Sequence, residues 1–247
     1  MSTPLRPAAA CLTRASITSS LKVELRRLTR SGLGLGVLVG FAFFGLSGPV
    51  LSIYMPEILG AAASTDQLAI SASQATPADA ISLFNQSAMQ LGLIVTVAVA
   101  ITSIGWDTRP GSSIFYRTRV HRLSTVLLPR LIIDWLIALA TYSCGLLLAV
   151  VVTASAIGRP PAGMVVRTWM ACGLYIVMAM SIGHLIAASL RRTTTAIALT
   201  TLLVLVLPVM NQVPGTSRWV PTALLLPTGL HAMPVVVSLV VTGLCAV

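Results

Sequence analysis

Six apolar stretches, each close to the length a bilayer requires, fill this chain at about residues 31–53, 88–105, 131–157, 164–190, 196–210 and 229–247. A helix rises about 1.5 Å per residue, so about 20 apolar residues cover a hydrocarbon core of about 30 Å. Soluble domains carry about 25% charged residues to face water on all sides. Here charged residues make up 9% and hydrophobic residues 56%. The expected fold class is therefore an all-α integral membrane protein with six transmembrane helices. It divides into a tail, residues 1–30, and one membrane domain, residues 31–247. Little chain is left over for a soluble catalytic module.

The positive charges sort across these stretches. Of sixteen Lys and Arg residues, six lie in the tail, five between Trp106 and Arg130, and two at Arg191 and Arg192. These segments alternate onto one side, and cytoplasmic loops of membrane proteins carry the excess of basic residues. Only Arg159, Arg167 and Arg218 fall on the other side. The expected topology is multi-pass in the plasma (inner) membrane, with both termini cytoplasmic. A net charge of +10 otherwise fits a nucleic-acid binder, but arginines in short loops beside apolar spans are anchoring charge, which excludes nucleic acid as a partner. The partner on this reading is the lipid bilayer.

Within Ser20–Arg30, Leu21, Leu25 and Leu28 recur at helical spacing, and Lys22, Glu24, Arg26, Arg27 and Arg30 occupy the remaining face. That pattern predicts a basic amphipathic helix lying in the membrane interface. The first apolar stretch is too long for the apolar region of a secretory signal, about 7–15 residues, and is read as a retained span. Its Gly36-x-x-x-Gly40 permits close helix packing.

Residues 55–87 carry Glu57, Asp66 and Asp79 without a basic residue, which places them outside. Thr76-Pro77-Ala78-Asp79 reads as a helix start, with a capping threonine, proline at the first position and an acid in the first turn. That helix is expected to run straight into the second span. Asn85-Gln86-Ser87 matches a glycosylation sequon, a motif too short to weigh against chance. Residues 211–230 hold Pro214, Pro221 and Pro227 among apolar residues. Such broken backbone beside spans predicts a re-entrant or interfacial element, with Trp219 as an interface anchor.

The absences narrow the chemistry. No Walker-type glycine loop, HExxH, GxSxG or paired-carboxylate cluster is present, so neither a nucleotide cradle nor an enzyme site is expected. Cys11, Cys144, Cys172 and Cys245 form no CxxC pair, and are read as buried small hydrophobes rather than metal ligands or disulfides. Two ionisable residues fall within spans, Asp134 and His184, and such residues are functional candidates by default. Asp134 lies four residues after Arg130, where an ion pair is expected. His184, between Gly183 and the next apolar turn, is expected as a neutral side chain bonded across helices. An ion-coupled carrier would have to use these two residues.

The most informative polar segment follows the second span: Trp106-Asp107-Thr108-Arg109-Pro110-Gly111-Ser112, then Phe115-Tyr116-Arg117-Thr118-Arg119-Val120-His121-Arg122, then Pro129-Arg130. It resembles the permease subunits of type-2 ATP-binding cassette (ABC) transporters. In those, an acid, three residues and Gly-Thr follow the second span, and a Pro-x-Ser-Arg-like block and a basic residue precede the third. Asp107 stands for the acid, Gly111-Ser112 for Gly-Thr, Arg119 to Arg122 for the second block and Arg130 for the final basic residue. Aspartate replaces the commoner glutamate, and Arg119 stands where the family's block has proline. The wider layout agrees over nearly the whole chain: an amphipathic basic helix, six spans, a sizeable outer loop after the first, and Trp219-Val220-Pro221 before the last.

The resemblance implies a type-2 exporter-like fold and an ATPase-coupling surface formed by Asp107, Gly111, Ser112, Phe115, Tyr116, Arg117, Arg119 and Arg122. It also implies a separate cassette ATPase that binds ATP and Mg, a second permease subunit, identical or homologous, and no cofactor on this chain. Export of a hydrophobic or amphipathic small molecule is the expected activity.

Overall fold

The computed structural model describes residues 26, 30, 32–63, 75–104, 124–190, 192–208, 221–225 and 232–246. Among them the chain is helical throughout: α1 (Leu33–Ala63), α2 (Pro77–Ser87), a π turn (Ala88–Gly92), α3 (Leu93–Ile104), α4 (Ser124–Ala156), α5 (Ala162–Leu190), α6 (Thr193–Val206), a 3-10 turn (Pro221–Leu225) and α7 (Ala232–Ala246). Four helical runs are long and apolar enough to cross a membrane: Leu33–Met55, Pro77–Ile104, Leu128–Ala156 and Ala162–Leu190. This is the build of a multi-pass membrane protein. α6 and α7 are apolar but have 14 and 15 residues, short of the roughly 20 that a perpendicular crossing needs.

The helix start at Thr76 forms as its residues require. The Thr76 hydroxyl accepts from the Asp79 backbone N–H at 3.3 Å, and the Asp79 carboxylate accepts from the Thr76 N–H at 3.1 Å. This reciprocal box satisfies donors that a bare helix end leaves orphaned. Pro77 follows at the first helical position, where a missing N–H costs nothing. The run then continues to Ile104 with one irregularity. At Ala88–Gly92 the backbone widens to π geometry, with the Leu93 N–H bonded to Ala88 O.

Glycines set how closely these helices approach. A Cβ at Gly45 would collide with the Gly145 carbonyl, and one at Gly145 would lie 2.7 Å from Phe41 O, so α1 and α4 cross backbone to backbone. A Cβ at Gly48 would fall 2.8 Å from the Phe84 backbone, which brings α2 against the same stretch of α1. In the notch between them Phe41 meets Tyr142 edge-on and Phe84 stacks on it, with centroids 6.0 and 5.9 Å apart. Gly36 and Gly40, by contrast, face open space. The predicted close-packing motif thus meets no neighbour among the described residues.

α5 is the central helix, with 67% of its apolar window inside the molecule against 33% for α1. Its small residues bring neighbours close: a Cβ at Gly183 would lie 3.3–3.5 Å from Val97 and Ile101 of α3 and Thr200 of α6. α4 and α5 are joined by a tight turn in which Gly158 adopts a φ of 145°, a region that a Cβ disfavours. Its N–H returns to Thr153 O at 3.0 Å, closing the end of α4. The outward faces of α1 and α4 stay exposed and apolar, with Leu35, Phe43, Leu147 and Val151 each more than 60% accessible. That surface suits hydrocarbon, and an apolar face of this extent would not suit water.

Two expectations need correction. Cys172 is buried, but Cys144 is exposed and Cys245 partly so. A lipid-facing surface is as apolar as the core, so a small hydrophobe occupies either. α4 also begins seven residues before the expected third span, at Ser124 rather than Leu131, and carries Pro129 inside it. Membrane helices accommodate such prolines where neighbours or local adjustment satisfy the freed carbonyl. Of residues 211–230, only Pro221–Leu225 is described, as a single 3-10 turn with Leu224 buried.

Candidate functional site

Three buried polar side chains from three helices meet where α3 ends. Ser103 is in the last turn of α3, Asp134 in the third turn of α4 and His184 in the final third of α5. They are 3%, 4% and 6% exposed. Asp134 Oδ2 accepts from the Ser103 hydroxyl at 3.1 Å and lies 3.1 Å from His184 Nε2. The Ser103 hydroxyl also reaches Ala100 O at 2.6 Å, one turn back in its own helix. The other ring nitrogen, His184 Nδ1, lies 3.0 Å from Met180 O.

Both ring nitrogens of His184 thus have a polar partner inside the bundle, Nδ1 the Met180 carbonyl and Nε2 the Asp134 carboxyl at 3.1 Å. Buried ionisable groups in a low-dielectric site are paired in this way.

The expected ion pair between Asp134 and Arg130 is not formed. Both lie on α4 one turn apart, but the Arg130 guanidinium donates to Ile104 O at 3.2 Å, across to the last residue of α3. Asp134 turns instead to α3 and α5. The competing arrangement wins because it satisfies three groups that the fold has already buried. His184 is bonded across helices as expected, and its partner is the other intramembrane candidate, fifty residues away in sequence. Ser103 was not anticipated. The signal available was a pair of adjacent hydroxyl residues, Thr102 and Ser103, just before Gly105 at the end of an apolar run.

Two bonds tie α4 to the end of α3, one between Asp134 and Ser103 and one from the Arg130 guanidinium to the Ile104 carbonyl. The residues expected to couple to an ATPase, Asp107, Gly111, Ser112, Phe115, Tyr116, Arg117, Arg119 and Arg122, lie outside the described residues, as do Lys22, Glu24 and Arg27 of the amphipathic segment. Arg26 and Arg30 are helical and exposed.

A second polar node lies further along the same helices. Asn85 Oδ1 accepts from the Tyr142 hydroxyl at 2.8 Å, with the Cys172 thiol 3.9 Å away. Asn85 is thus a helical residue bonded into the core, and its sequon is not a loop acceptor. Among the described residues no group of three His, Cys, Asp or Glu comes together as a metal site. No protein-family model, curated protein or solved structure matches this chain.

Proposed function

We propose that this chain is the membrane-spanning permease subunit of an ATP-driven ABC transporter, an exporter of a hydrophobic or amphipathic small molecule powered by a separate ATP-binding subunit. On this reading α6 and α7 complete six spans of a type-2 permease, the basic segments and both termini face the cytoplasm, and a second permease subunit encloses the transport path. One six-helix subunit is too small to surround a sizeable cargo alone, so pairing is expected on physical grounds as well. The chain performs no hydrolysis itself, and ATP and Mg bind the partner.

The observation that carries the reading is the sequence of the Asp107-to-Arg122 segment, which resembles a coupling segment. The helices before and after it, α3 and α4, are bonded to each other by the Arg130 guanidinium and the Ile104 carbonyl at 3.2 Å. Arg117, Arg119 and Arg122 provide charge for an acidic docking surface, and Phe115 and Tyr116 an apolar anchor.

The test is co-expression with the cassette ATPase of the neighbouring reading frame. Charge reversal at Arg117 and Arg122 is expected to remove the ATPase from the purified chain while membrane insertion is unchanged. Co-purification at normal yield contradicts the coupling assignment.

A second reading has one specific observation behind it. The Asp134–His184 pair brings two ionisable side chains together inside the spans, as an ion-coupled carrier would need. Transport that persists when both residues are replaced, Asp134→Asn with His184→Gln, removes it. No comparable arrangement favours a membrane-embedded enzyme among the described residues.

A further inference from the structure

We propose that the α4–α5 hairpin holds an anionic phospholipid, its phosphate on Arg159 and Arg167 and an acyl chain against Val166, Trp169 and Met170. These arginines are two of the three basic residues on the side opposite the charge-rich segments, so the sorting that sets orientation does not account for them. Both are exposed. Arg159 lies in the turn, and Arg167 is five residues into α5, about 8 Å below its first residue. The 29 residues of α5 span about 43 Å against a hydrocarbon core of about 30 Å. With the helix centred in the bilayer, Arg167 stands near the boundary between headgroups and tails. Among the described residues neither guanidinium has a carboxylate or hydrogen-bond partner. Asp79 is near the turn, since a Cβ at Gly158 would lie 3.8 Å from Pro77. Its carboxylate is engaged, accepting from the Thr76 N–H and hydroxyl at 3.1 and 2.6 Å. A cation beside the tails is costly unless it reaches water or an anion, and a lipid phosphate accepts two guanidinium N–H groups at once.

The same face supplies the apolar half of the site. Val166 and Met170, 57% and 54% exposed, are one helical turn apart, and Arg167 stands three residues before Met170. Gly163, one turn nearer the hairpin than Arg167, meets nothing where its side chain would be, so a headgroup can come close to the helix backbone there. Trp169 is 42% exposed, yet its Nε1 donates to Ser143 Oγ at 2.8 Å. Interfacial tryptophans keep a polar end for the headgroups. Here that donor is used within the protein, so the ring bridges α4 and α5 and presents carbon to the lipid. The turn is also firmly set: the Gly158 N–H bonds to Thr153 O at 3.0 Å, and Pro160 and Pro161 fix the backbone after Arg159. Two cations without a free acid favour an anionic headgroup over a zwitterionic one, whose amine they repel. The apolar surface below them favours a lipid over free phosphate. On the proposed topology this lipid belongs to the outer leaflet.

The test reads Trp169 itself. The full chain, with Trp106, Trp135 and Trp219 each replaced by Phe, is reconstituted in phosphatidylcholine vesicles containing phosphatidylglycerol. Either lipid, at equal mole fraction, carries brominated acyl chains that quench a neighbouring tryptophan. Brominated phosphatidylglycerol is expected to quench Trp169 with an apparent affinity about fivefold or more above that of brominated phosphatidylcholine, since one basic residue at an anionic lipid surface contributes about that factor. Arg167→Gln and Arg159→Gln are each expected to lower the preference, and the double variant to abolish it. Arg192→Gln, beyond the other end of α5, is expected to leave it unchanged. Equal quenching by the two lipids overturns the proposal, as does a preference that survives in the double variant. A preference removed by inorganic phosphate marks a free-anion site and overturns the lipid assignment. Where the single-tryptophan chain does not fold, the same quenching is read as the difference between the native chain and Trp169→Phe, and a difference that is the same for both lipids overturns the proposal.

Discussion

Asp134 shows how little spacing alone says about a partner. On α4 it stands one turn from Arg130, a favourable register for a surface ion pair worth about 0.2–0.5 kcal/mol. Inside a bundle the deciding term is larger. Leaving one member of a buried charge pair without its partner costs about 3–5 kcal/mol, so the fold directs Asp134 to His184 and leaves Arg130 a backbone carbonyl. The two buried bonds of Asp134 are not equal in this account. His184→Leu removes the ionisable partner of the buried Asp134, and is expected to lower stability in detergent by about 3 kcal/mol. Ser103→Ala removes a hydroxyl bond between helices, of the kind that averages about 0.6 kcal/mol in membrane bundles. Equilibrium unfolding of both variants checks this. Equal losses contradict the assignment of His184 as the principal buried partner of Asp134. The candidates themselves were legible, since any ionisable residue in a span stands out. Their union was not, because a contact fifty residues apart leaves no local pattern.

At the scale of elements, what is written locally was readable and what depends on crossing geometry was not. The capping box at Thr76 and Asp79 needs only four consecutive residues, and the helix starts there. The π turn at Ala88–Gly92 has no such signature, since it answers to the packing of Phe84, Leu93 and the Phe41 ring that lies where a Gly92 side chain would point. The glycines make the same point. Gly36-x-x-x-Gly40 has the familiar spacing and meets nothing, whereas Gly45 and Gly48, at a spacing that draws no notice, carry the crossings with α4 and α2. Gly45→Leu is therefore expected to disrupt the bundle. Added methylenes in a well-packed core cost about 1–3 kcal/mol where neighbours can shift, and here the obstacle is the backbone of Gly145. Gly36→Leu should leave the folded chain unchanged. Melting temperatures of the two variants in detergent decide it, and similar losses for both contradict the assigned crossing.

For the whole molecule, apolar length and charge sorting made the class legible before any contact was known. Four runs long enough to cross a bilayer bear out a multi-pass helical protein. The remaining two, at 14 and 15 residues, are completed to spans only in the proposed six-span reading, because α6 runs into proline-rich chain. Of the thirteen basic residues assigned to the cytoplasm, eleven lie in the tail and in residues 106–130. Topology alone asks only that charge sit on one side. In the proposed reading, its concentration in the two segments that a type-2 permease turns toward its ATPase joins orientation to function. ATP hydrolysis in reconstituted vesicles tests that union most directly. The neighbouring cassette ATPase, assayed with and without this chain in the bilayer, is expected to bind the vesicles and gain vanadate-sensitive hydrolysis only when the chain is present. Equal binding and equal hydrolysis in empty vesicles would contradict the account.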